Sequence, residues 1–336
     1  MNYIGSKYSL LEFLNASINK FIDVKSNNII FADLFAGTGV VGSYYRKLGC
    51  KVLANDIQNY SYIINKHLIE NDEKVDNSLF SYFNSLEGID GFIYKNYCLG
   101  SGSGRNYFTD FNGRKCDAIR TELERMLNNN EITLNNYYFY LASLINSIDK
   151  YANTASVYGA FLKHTKKSAQ KKFVLEPLPI INGPIGKVYN QDINELIKNI
   201  EGDILYLDPP YNTRQYCSNY HLLETIAKYD NPNLKGKTGL RDEEQLKSKF
   251  CSRRTVEKVF EDLIANANFK YIFLSYNNEG LMSLETIKKI MSKYGNYSYC
   301  IKSYKRFKAD NNKNRNIIAD ETIEYLHCLV KKDKHE

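Results

Sequence analysis

The sequence predicts an α/β fold in which a mostly parallel sheet is interrupted by a mainly helical insert. Residues 29–33 and 51–55 are short apolar runs that flank a helical pattern beginning at Val40, which is typical of a β-α-β unit. Strand signals return at residues 203–208, after a long stretch in which apolar residues recur at helical spacing. We therefore expect the two parts of one sheet to lie on either side of the insert in the sequence.

The order of the predicted elements divides the chain into two domains. Apolar residues at 10–22 predict an opening helix, residues 91–113 are rich in Gly, Tyr and Asn and predict a loop, and helical periodicity follows from Ile119. A strand is predicted at 271–274, and the chain closes with an antiparallel hairpin around a basic connecting loop. The predicted domains are a discontinuous sheet domain, residues 1–75 and 181–336, and a helical insert, residues 76–180.

The composition is that of an ordinary globular protein. Of 336 residues, 43% are hydrophobic and 25% are charged, which excludes a disordered chain, and no apolar run is long enough for a membrane span. The first residues lack the basic-then-apolar pattern of a signal peptide, so we expect a cytoplasmic protein. Seven widely spaced cysteines without a C-x-x-C pair argue against disulfides and a zinc site, and we expect no metal.

A glycine-rich turn indicates a nucleoside cofactor. Residues 37–42, GTGVVG, match the G-x-G-x-x-G pattern between a strand and a helix, and Asp56 follows Gly37 by 19 residues. Glycines allow close backbone approach, and the acid suits ribose hydroxyls, as in nicotinamide dinucleotide or S-adenosylmethionine sites. Asp33, just before the glycines, favours S-adenosylmethionine, because a carboxylate suits a cationic amino acid group and opposes a pyrophosphate.

The tetrapeptide Asp208-Pro209-Pro210-Tyr211 follows directly on a predicted strand. Ligands of doubly wound folds bind at the carboxyl ends of the strands, so this turn is expected to face the cofactor. Two prolines make the turn rigid and remove two backbone donors, which leaves carbonyl oxygens free to accept. A carboxylate, a carbonyl and an aromatic ring together suit a planar group that bears an amine.

These motifs together resemble the alpha group of DNA adenine-N6 methyltransferases, to which the Dam methylases belong. The resemblance rests on YIGSK at 3–7, DLFAGTG at 33–39, Asn55-Asp56 and the tetrapeptide at 208–211. One glycine precedes Lys7 where Dam-like members have two. The resemblance implies a Rossmann-like S-adenosylmethionine-dependent methyltransferase sheet, a target-recognition insert, double-stranded DNA as partner, and a bacterial restriction-modification or orphan methylation system, with a cognate restriction endonuclease as a further partner in the first case.

The resemblance also implies residue roles. By the resemblance, Tyr3, Lys7, Phe35 and Asp56 would contact the cofactor, and the glycine motif itself adds Asp33, Gly37 and Gly39. Asp192 matches an acid near the cofactor adenine, although it equally suits the cap of a helix that begins near Asn194. In the expected mechanism, Asp208 and the Pro209 carbonyl hold the amine of an extruded adenine, which stacks on Tyr211.

Basic segments indicate the DNA-binding surface. The chain carries 45 Lys and Arg against 38 Asp and Glu, a net charge of +7 that favours polyanionic partners. The residues expected to contact the DNA backbone are Lys163, Lys166, Lys167, Arg214, Lys305, Arg306, Lys308, Lys313 and Arg315. For each basic segment, an ordinary solvated surface is the alternative.

Four other functions remain open from the residues alone. One is an RNA or protein-glutamine methyltransferase, which would more often carry asparagine at position 208. A cytosine-N4 methyltransferase uses the same amine chemistry, although its tetrapeptide usually starts with serine. A nicotinamide-dependent oxidoreductase explains the glycine motif but not the tetrapeptide at 208–211. A non-catalytic DNA-binding subunit explains the charge but not the glycine motif.

Overall fold

The computed structural model describes residues 3–71, 78–242, 244–305 and 321–332, without the side chains at 304, 305, 321 and 322. Within these residues, seven strands form one sheet in the order β3-β2-β1-β4-β5-β7-β6. The strands are β1 Ile30–Asp33, β2 Lys51–Asn55, β3 Lys187–Tyr189, β4 Glu201–Leu207, β5 Asn268–Asn277, β6 Gly295–Lys305 and β7 Glu321–Lys331. Neighbours from β3 to β5 are parallel, and β7 is antiparallel to both β5 and β6. The predicted mostly parallel α/β sheet with a closing hairpin is therefore confirmed.

Helices cover both faces of the sheet and make up most of the described insert. The α-helices are α1 Leu11–Ile18, α2 Val40–Lys47, α3 Asn59–Asn65, α4 Ser78–Ser85, α5 Phe92–Tyr97, α6 Asp110–Asn128, α7 Leu134–Asp149, α8 Lys167–Gln170, α9 Ile193–Leu196, α10 Tyr216–Asn219, α11 His221–Lys228, α12 Val256–Asn266 and α13 Leu284–Met291. No helix within the described ranges is both long and apolar enough to cross a membrane.

The strand register brings the two sequence motifs to the same edge of the sheet. Asp33 at the end of β1 pairs with Tyr206 of β4, and Leu207 pairs with Leu274 of β5. The glycine turn after β1 and the tetrapeptide after β4 are therefore neighbours. Because β7 is antiparallel, its beginning lies at this edge too, where Glu324 pairs with Asn277 of β5.

Two apolar clusters lie on the two faces of the sheet. One joins α1, α2 and α3 to the helices of the insert, and the other joins α9, α12 and α13 to the opposite face. The first cluster is continuous between the insert and the sheet, since Phe139 and Tyr140 of α7 belong to it together with Leu222 of α11. The domain boundaries given above stay a prediction, because the two parts share this core.

The prediction of a continuous loop over residues 91–113 is wrong at both ends. Residues 92–97 form α5, and α6 already begins at Asp110. The first turn of α5 is stabilised by a residue that is distant in sequence. The carboxylate of Asp117 accepts the backbone N–H groups of Ile93 and Tyr94 at 2.9 and 2.8 Å. Such a cap, provided by α6, leaves no signal in the local sequence.

Candidate active site

The glycine turn after β1 requires glycine at two positions. Gly37 and Gly39 have φ of +51° and +72°, in the left-handed region that other residues rarely adopt. A Cβ on Gly39 would lie 2.7 Å from Oδ1 of Asn65, and one on Gly37 would lie 3.0 Å from the ring of Tyr3. The turn is thus fixed both by its backbone and by the side chains against it, and α2 starts immediately after it.

Asp56 links the end of β2 to this turn. Its Oδ2 accepts the backbone N–H of Gly37 at 2.9 Å, and its Oδ1 accepts that of Gln58 at 2.9 Å. Burial raises the pKa of Asp56 to about 6, although the two backbone hydrogen bonds oppose the shift. At neutral pH the group is therefore mainly a carboxylate, and each oxygen retains a lone pair for a ligand hydroxyl.

A cleft with about 850 Å³ of empty space opens between the glycine turn and the tetrapeptide. Five of the predicted cofactor residues line it, namely Tyr3, Phe35, Gly37, Asp56 and Asp192. Residues 246–250 form a further wall, where the ring of Phe250 meets that of Phe35 edge to face at 5.1 Å. We call this space the donor cleft.

Asp192 is a helix cap that also lies at the wall of the donor cleft. Its side chain caps α9 by accepting the backbone N–H of Asn194 at 2.9 Å, and the same residue lines the donor cleft. The cap fixes the carboxylate at the cleft wall, where a ligand can reach it.

Asp33 lies beneath the glycine turn instead of facing the donor cleft. Its side chain is 1% exposed, and its Oδ2 accepts the backbone N–H of Gly42 at 3.1 Å. Burial, with the nearby Asp208, raises the pKa of Asp33 to about 8, so the group is mostly protonated at neutral pH. The side chain holds the start of α2, and its expected contact with the cationic end of the cofactor stays a prediction.

A second cleft, with about 1080 Å³ of empty space, lies on the other side of the tetrapeptide. It is lined by Lys7, Pro209, Tyr211 and Glu324, and Asp208 lines both clefts. We call it the acceptor cleft. Asp208 thus stands where the two spaces meet, together with Ile4, Gly5 and Tyr216.

Lys7 lines the acceptor cleft, and its expected contact with the cofactor stays a prediction. Its ammonium lies 3.0 Å from Oδ1 of Asp208, 3.4 Å from Oε1 of Glu324 and 2.7 Å from the Tyr211 hydroxyl. The side chain is only 5% exposed, and burial alone would lower its pKa, but Asp208 and Glu324 raise it overall. Lys7 is therefore a buried cation that holds Asp208.

Tyr211 is fixed at both its hydroxyl and its ring. The hydroxyl lies 2.7 Å from Oδ1 of Asp208 and 2.8 Å from Oε1 of Glu324. The ring packs edge to face on Tyr276 at 5.0 Å, and the Lys7 ammonium lies 4.8 Å from its centre. This packing gives the ring one orientation at the wall of the acceptor cleft.

The predicted DNA-binding residues are dispersed in the structure. Lys163, Lys167 and Arg214 are exposed, whereas the Lys166 ammonium donates to the backbone carbonyl of Thr154 at 2.8 Å. The backbone of Lys305 ends β6, but its side chain, and all of Arg306, Lys308, Lys313 and Arg315, lie outside the described residues.

Sequence reasoning missed three parts of the site. Gln58 follows Asp56 by two residues and lines the donor cleft, and residues 246–250 come from a loop without any motif. Glu324 had a readable signal, because it is an acid on the β7 face that also carries Leu326 and Cys328. In the described parts of the chain, no group of three or more His, Cys, Asp or Glu could hold a metal ion.

Comparison with known proteins identifies the family. Residues 3–290 match the model of the D12 class N6 adenine-specific DNA methyltransferases. The chain is 51% identical to the Type II methyltransferase M.NlaIII of Neisseria lactamica, with 98% of this chain and 99% of that protein covered. It is 39% identical to M.FokI of Planomicrobium okeanokoites, of which it spans 53%, and 34% identical to M.CviAII of Paramecium bursaria Chlorella virus 1, of which it spans 97%. The chain belongs to the D12 class N6 adenine-specific DNA methyltransferases.

Proposed function

We propose that this methyltransferase uses S-adenosylmethionine in the donor cleft and methylates the N6 amine of an adenine in the acceptor cleft. The observation that carries the proposal is the position of Asp208, which lines both clefts. A methyl group has to pass between two bound molecules in line, so a residue at their junction can touch the reacting atoms.

The donor cleft has the chemistry that S-adenosylmethionine requires. Asp56 offers a carboxylate to the two ribose hydroxyls, and Phe35 with its partner Phe250 offers apolar surface to the adenine. Asp192 stands ready for a polar group of the cofactor. The acidic groups Asp56, Asp192 and Asp208 at the cleft suit a sulfonium better than a pyrophosphate, which argues for this cofactor over a nicotinamide dinucleotide.

In the proposed mechanism, Asp208 and the Pro209 carbonyl accept the two N–H bonds of the target amine. The nitrogen lone pair, normally delocalised into the ring, is then directed at the methyl group. A bound S-adenosylmethionine would supply the methyl group from its sulfonium: the S–C bond would break as the N–C bond forms, and the S–C electron pair would leave with the sulfur as a thioether. The amine would then carry the positive charge and release one proton to solvent. Preorganised acceptors stabilise this developing charge without reorganising during the step.

The target base has to leave the duplex, because its amine is not accessible to a protein cleft within the stacked helix. In the proposed complex the extruded adenine enters the acceptor cleft and contacts the ring of Tyr211. The insert and the basic residues at 163–167, 214 and 305–315 would hold the DNA through its phosphates. As in the Type II relatives, we propose that the enzyme protects DNA from a cognate restriction endonuclease.

Two measurements test this proposal. Calorimetric titration should show binding of S-adenosylmethionine and none of NAD. Transfer of tritiated methyl groups to duplex DNA should be abolished in Asp208→Ala, with DNA affinity largely retained, because the carboxylate acts on the amine; loss of one such group lowers rates by about 100-fold or more. Near-normal turnover of Asp208→Ala would reduce the tetrapeptide to a structural turn and refute the mechanism.

A further inference from the structure

Glu324 is a buried acid on a strand face that is otherwise apolar. It is 1% exposed, and Leu326 and Cys328, which share its face of β7, are 0% and 1% exposed. Burial raises the pKa of its carboxyl group, whereas Lys7 and the Tyr211 hydroxyl oppose the shift. A buried carboxyl group lowers stability unless it is paired, so its presence here calls for a role beyond packing.

The contacts of Glu324 lead to Asp208 through two other side chains. Its Oε1 lies 3.4 Å from the Lys7 ammonium and 2.8 Å from the Tyr211 hydroxyl. These same two groups lie 3.0 and 2.7 Å from Oδ1 of Asp208. The two donors that hold Asp208, the Lys7 ammonium and the Tyr211 hydroxyl, are therefore shared with Glu324.

The number of available protons limits the hydrogen bonds that Asp208 and Glu324 can both accept. The Tyr211 hydroxyl accepts from Lys7 at 2.7 Å, and its single proton serves either Asp208 or Glu324. Without a charge at 324, both Lys7 and Tyr211 would direct their donors to Asp208 alone. Such donors compete with the target amine for the lone pairs of that carboxylate and weaken it as an acceptor.

We propose that Glu324 is a positioning residue for methyl transfer, which draws Lys7 and Tyr211 partly off Oδ1 of Asp208 and so keeps that carboxylate a strong acceptor, oriented for the target amine. The inference rests on the proposed function, because it concerns the same reaction. Glu324 itself contacts neither the donor nor the amine in this account. We therefore expect a substitution of Glu324 to lower the rate of the chemical step and to leave the affinity for either ligand unchanged.

The first test is Glu324→Gln, which keeps the shape and the Oε1 acceptor but removes the charge. We expect the single-turnover rate of methyl transfer, measured with saturating S-adenosylmethionine and duplex DNA, to fall about 10-fold or more, with both Kd values within about threefold of wild type. Glu324→Asp, which retains a withdrawn charge, should have an intermediate rate. Glu285→Gln, an exposed acid of α13, should behave as wild type. Circular dichroism verifies that each variant is folded.

A double-mutant cycle with Tyr211→Phe separates positioning from an independent effect. Because Glu324 acts through Lys7 and the Tyr211 hydroxyl, the rate losses of the two single variants should not multiply fully in the double variant. Rate losses that multiply fully in the double variant would overturn the proposal. So would a wild-type rate for Glu324→Gln or a rate for Glu324→Asp no higher than that of Glu324→Gln. A loss confined to ligand affinity would overturn it as well. If the wild-type enzyme itself transfers no methyl group to adenine, the proposed function fails instead.

Discussion

At the scale of single residues, the site depends on carboxyl groups that differ in burial and partners. Asp56 is a hydrogen-bonded acid at the donor cleft, Asp33 is a buried acid beneath it, and Asp208 lies between the clefts. The sequence identified all three, because each stands at the end of a predicted strand. It could not predict the charge state of each acid, since that state depends on neighbours that the fold supplies. The pairing of Lys7 with Glu324 was missed for the same reason. The two residues are 317 positions apart, and only the fold brings them together.

Tyr211 is expected to act through its ring more than through its hydroxyl. Tyr211→Ala removes the surface against which the base would stack, and stacking of this kind contributes about 1–3 kcal/mol. Tyr211→Phe keeps the ring and loses only the hydroxyl that bridges Asp208 and Glu324. Methyl incorporation into DNA should therefore decrease in the order wild type, Phe, Ala. A Phe variant as inactive as Ala would show that the hydroxyl, not the ring, is the essential part.

Asp33 should make stability depend on pH. Burial raises its pKa from 3.8 to about 8, so between these values the folded protein holds a proton that the unfolded chain releases. The contribution of this proton to the free energy of unfolding is complete below about pH 4 and is lost as the pH rises through 8. The free energy of unfolding then falls by at most about 1.4 kcal/mol per pH unit. In urea unfolding without ligand, the stability of wild type relative to Asp33→Asn should fall from pH 5 to pH 8. Parallel pH profiles for the two proteins would show that Asp33 does not titrate in this way.

At the scale of elements, the β1-turn-α2 unit was the part best predicted from sequence. Its glycines, the preceding acid and the following helix all have local signals, and the structure has them in the expected order. The helix α5 and the wall at 246–250 were missed, because contacts from distant residues determine them. Local patterns therefore predicted the turn at the donor cleft but not the walls around it.

Gly39→Ala should cost more stability than its backbone conformation alone explains. An alanine at positive φ is strained by about 1–2 kcal/mol, and here its Cβ would also press on Asn65 and on Leu68 at 2.9 Å. Gly102→Ala is the matched control, because Gly102 has φ of +80° and open space around it. Urea unfolding should show the larger loss for Gly39→Ala, together with weaker binding of S-adenosylmethionine. Equal losses in both variants would mean that close packing at the turn has no additional effect.

At the scale of the whole molecule, the sheet places the donor cleft beside the acceptor cleft. The net positive charge of the chain favours DNA as a binding partner. The order of the motifs along the sequence predicted the sheet, whereas the division into a sheet domain and an insert stays a prediction. The surface that meets the DNA was not predictable to the same extent, because basic residues are common on solvated surfaces and their spacing has no fixed period. One predicted residue, Lys166, is already engaged with the Thr154 carbonyl.

Salt dependence should locate the residues that bind phosphates. Removal of one phosphate-binding cation lowers the slope of log affinity against log salt by about 0.9. A triple variant with alanine at Lys308, Lys313 and Arg315 should therefore bind duplex DNA with a slope reduced by about 2–3. The control triple variant, with alanine at the exposed Lys258, Lys288 and Lys289 of α12 and α13, changes the net charge equally and should keep the slope. Identical slopes in the two variants would assign residues 305–315 to ordinary surface.

The identity of the methylated base tests the central claim most directly. Duplex DNA is incubated with tritiated S-adenosylmethionine and the purified enzyme, digested to nucleosides and separated by chromatography. We expect the radioactivity to elute with N6-methyl-2′-deoxyadenosine for the wild-type enzyme, and none to be incorporated by Asp208→Ala. Radioactivity that elutes with N4-methyl-2′-deoxycytidine, or an equal yield of methylated adenine from Asp208→Ala, would contradict the account.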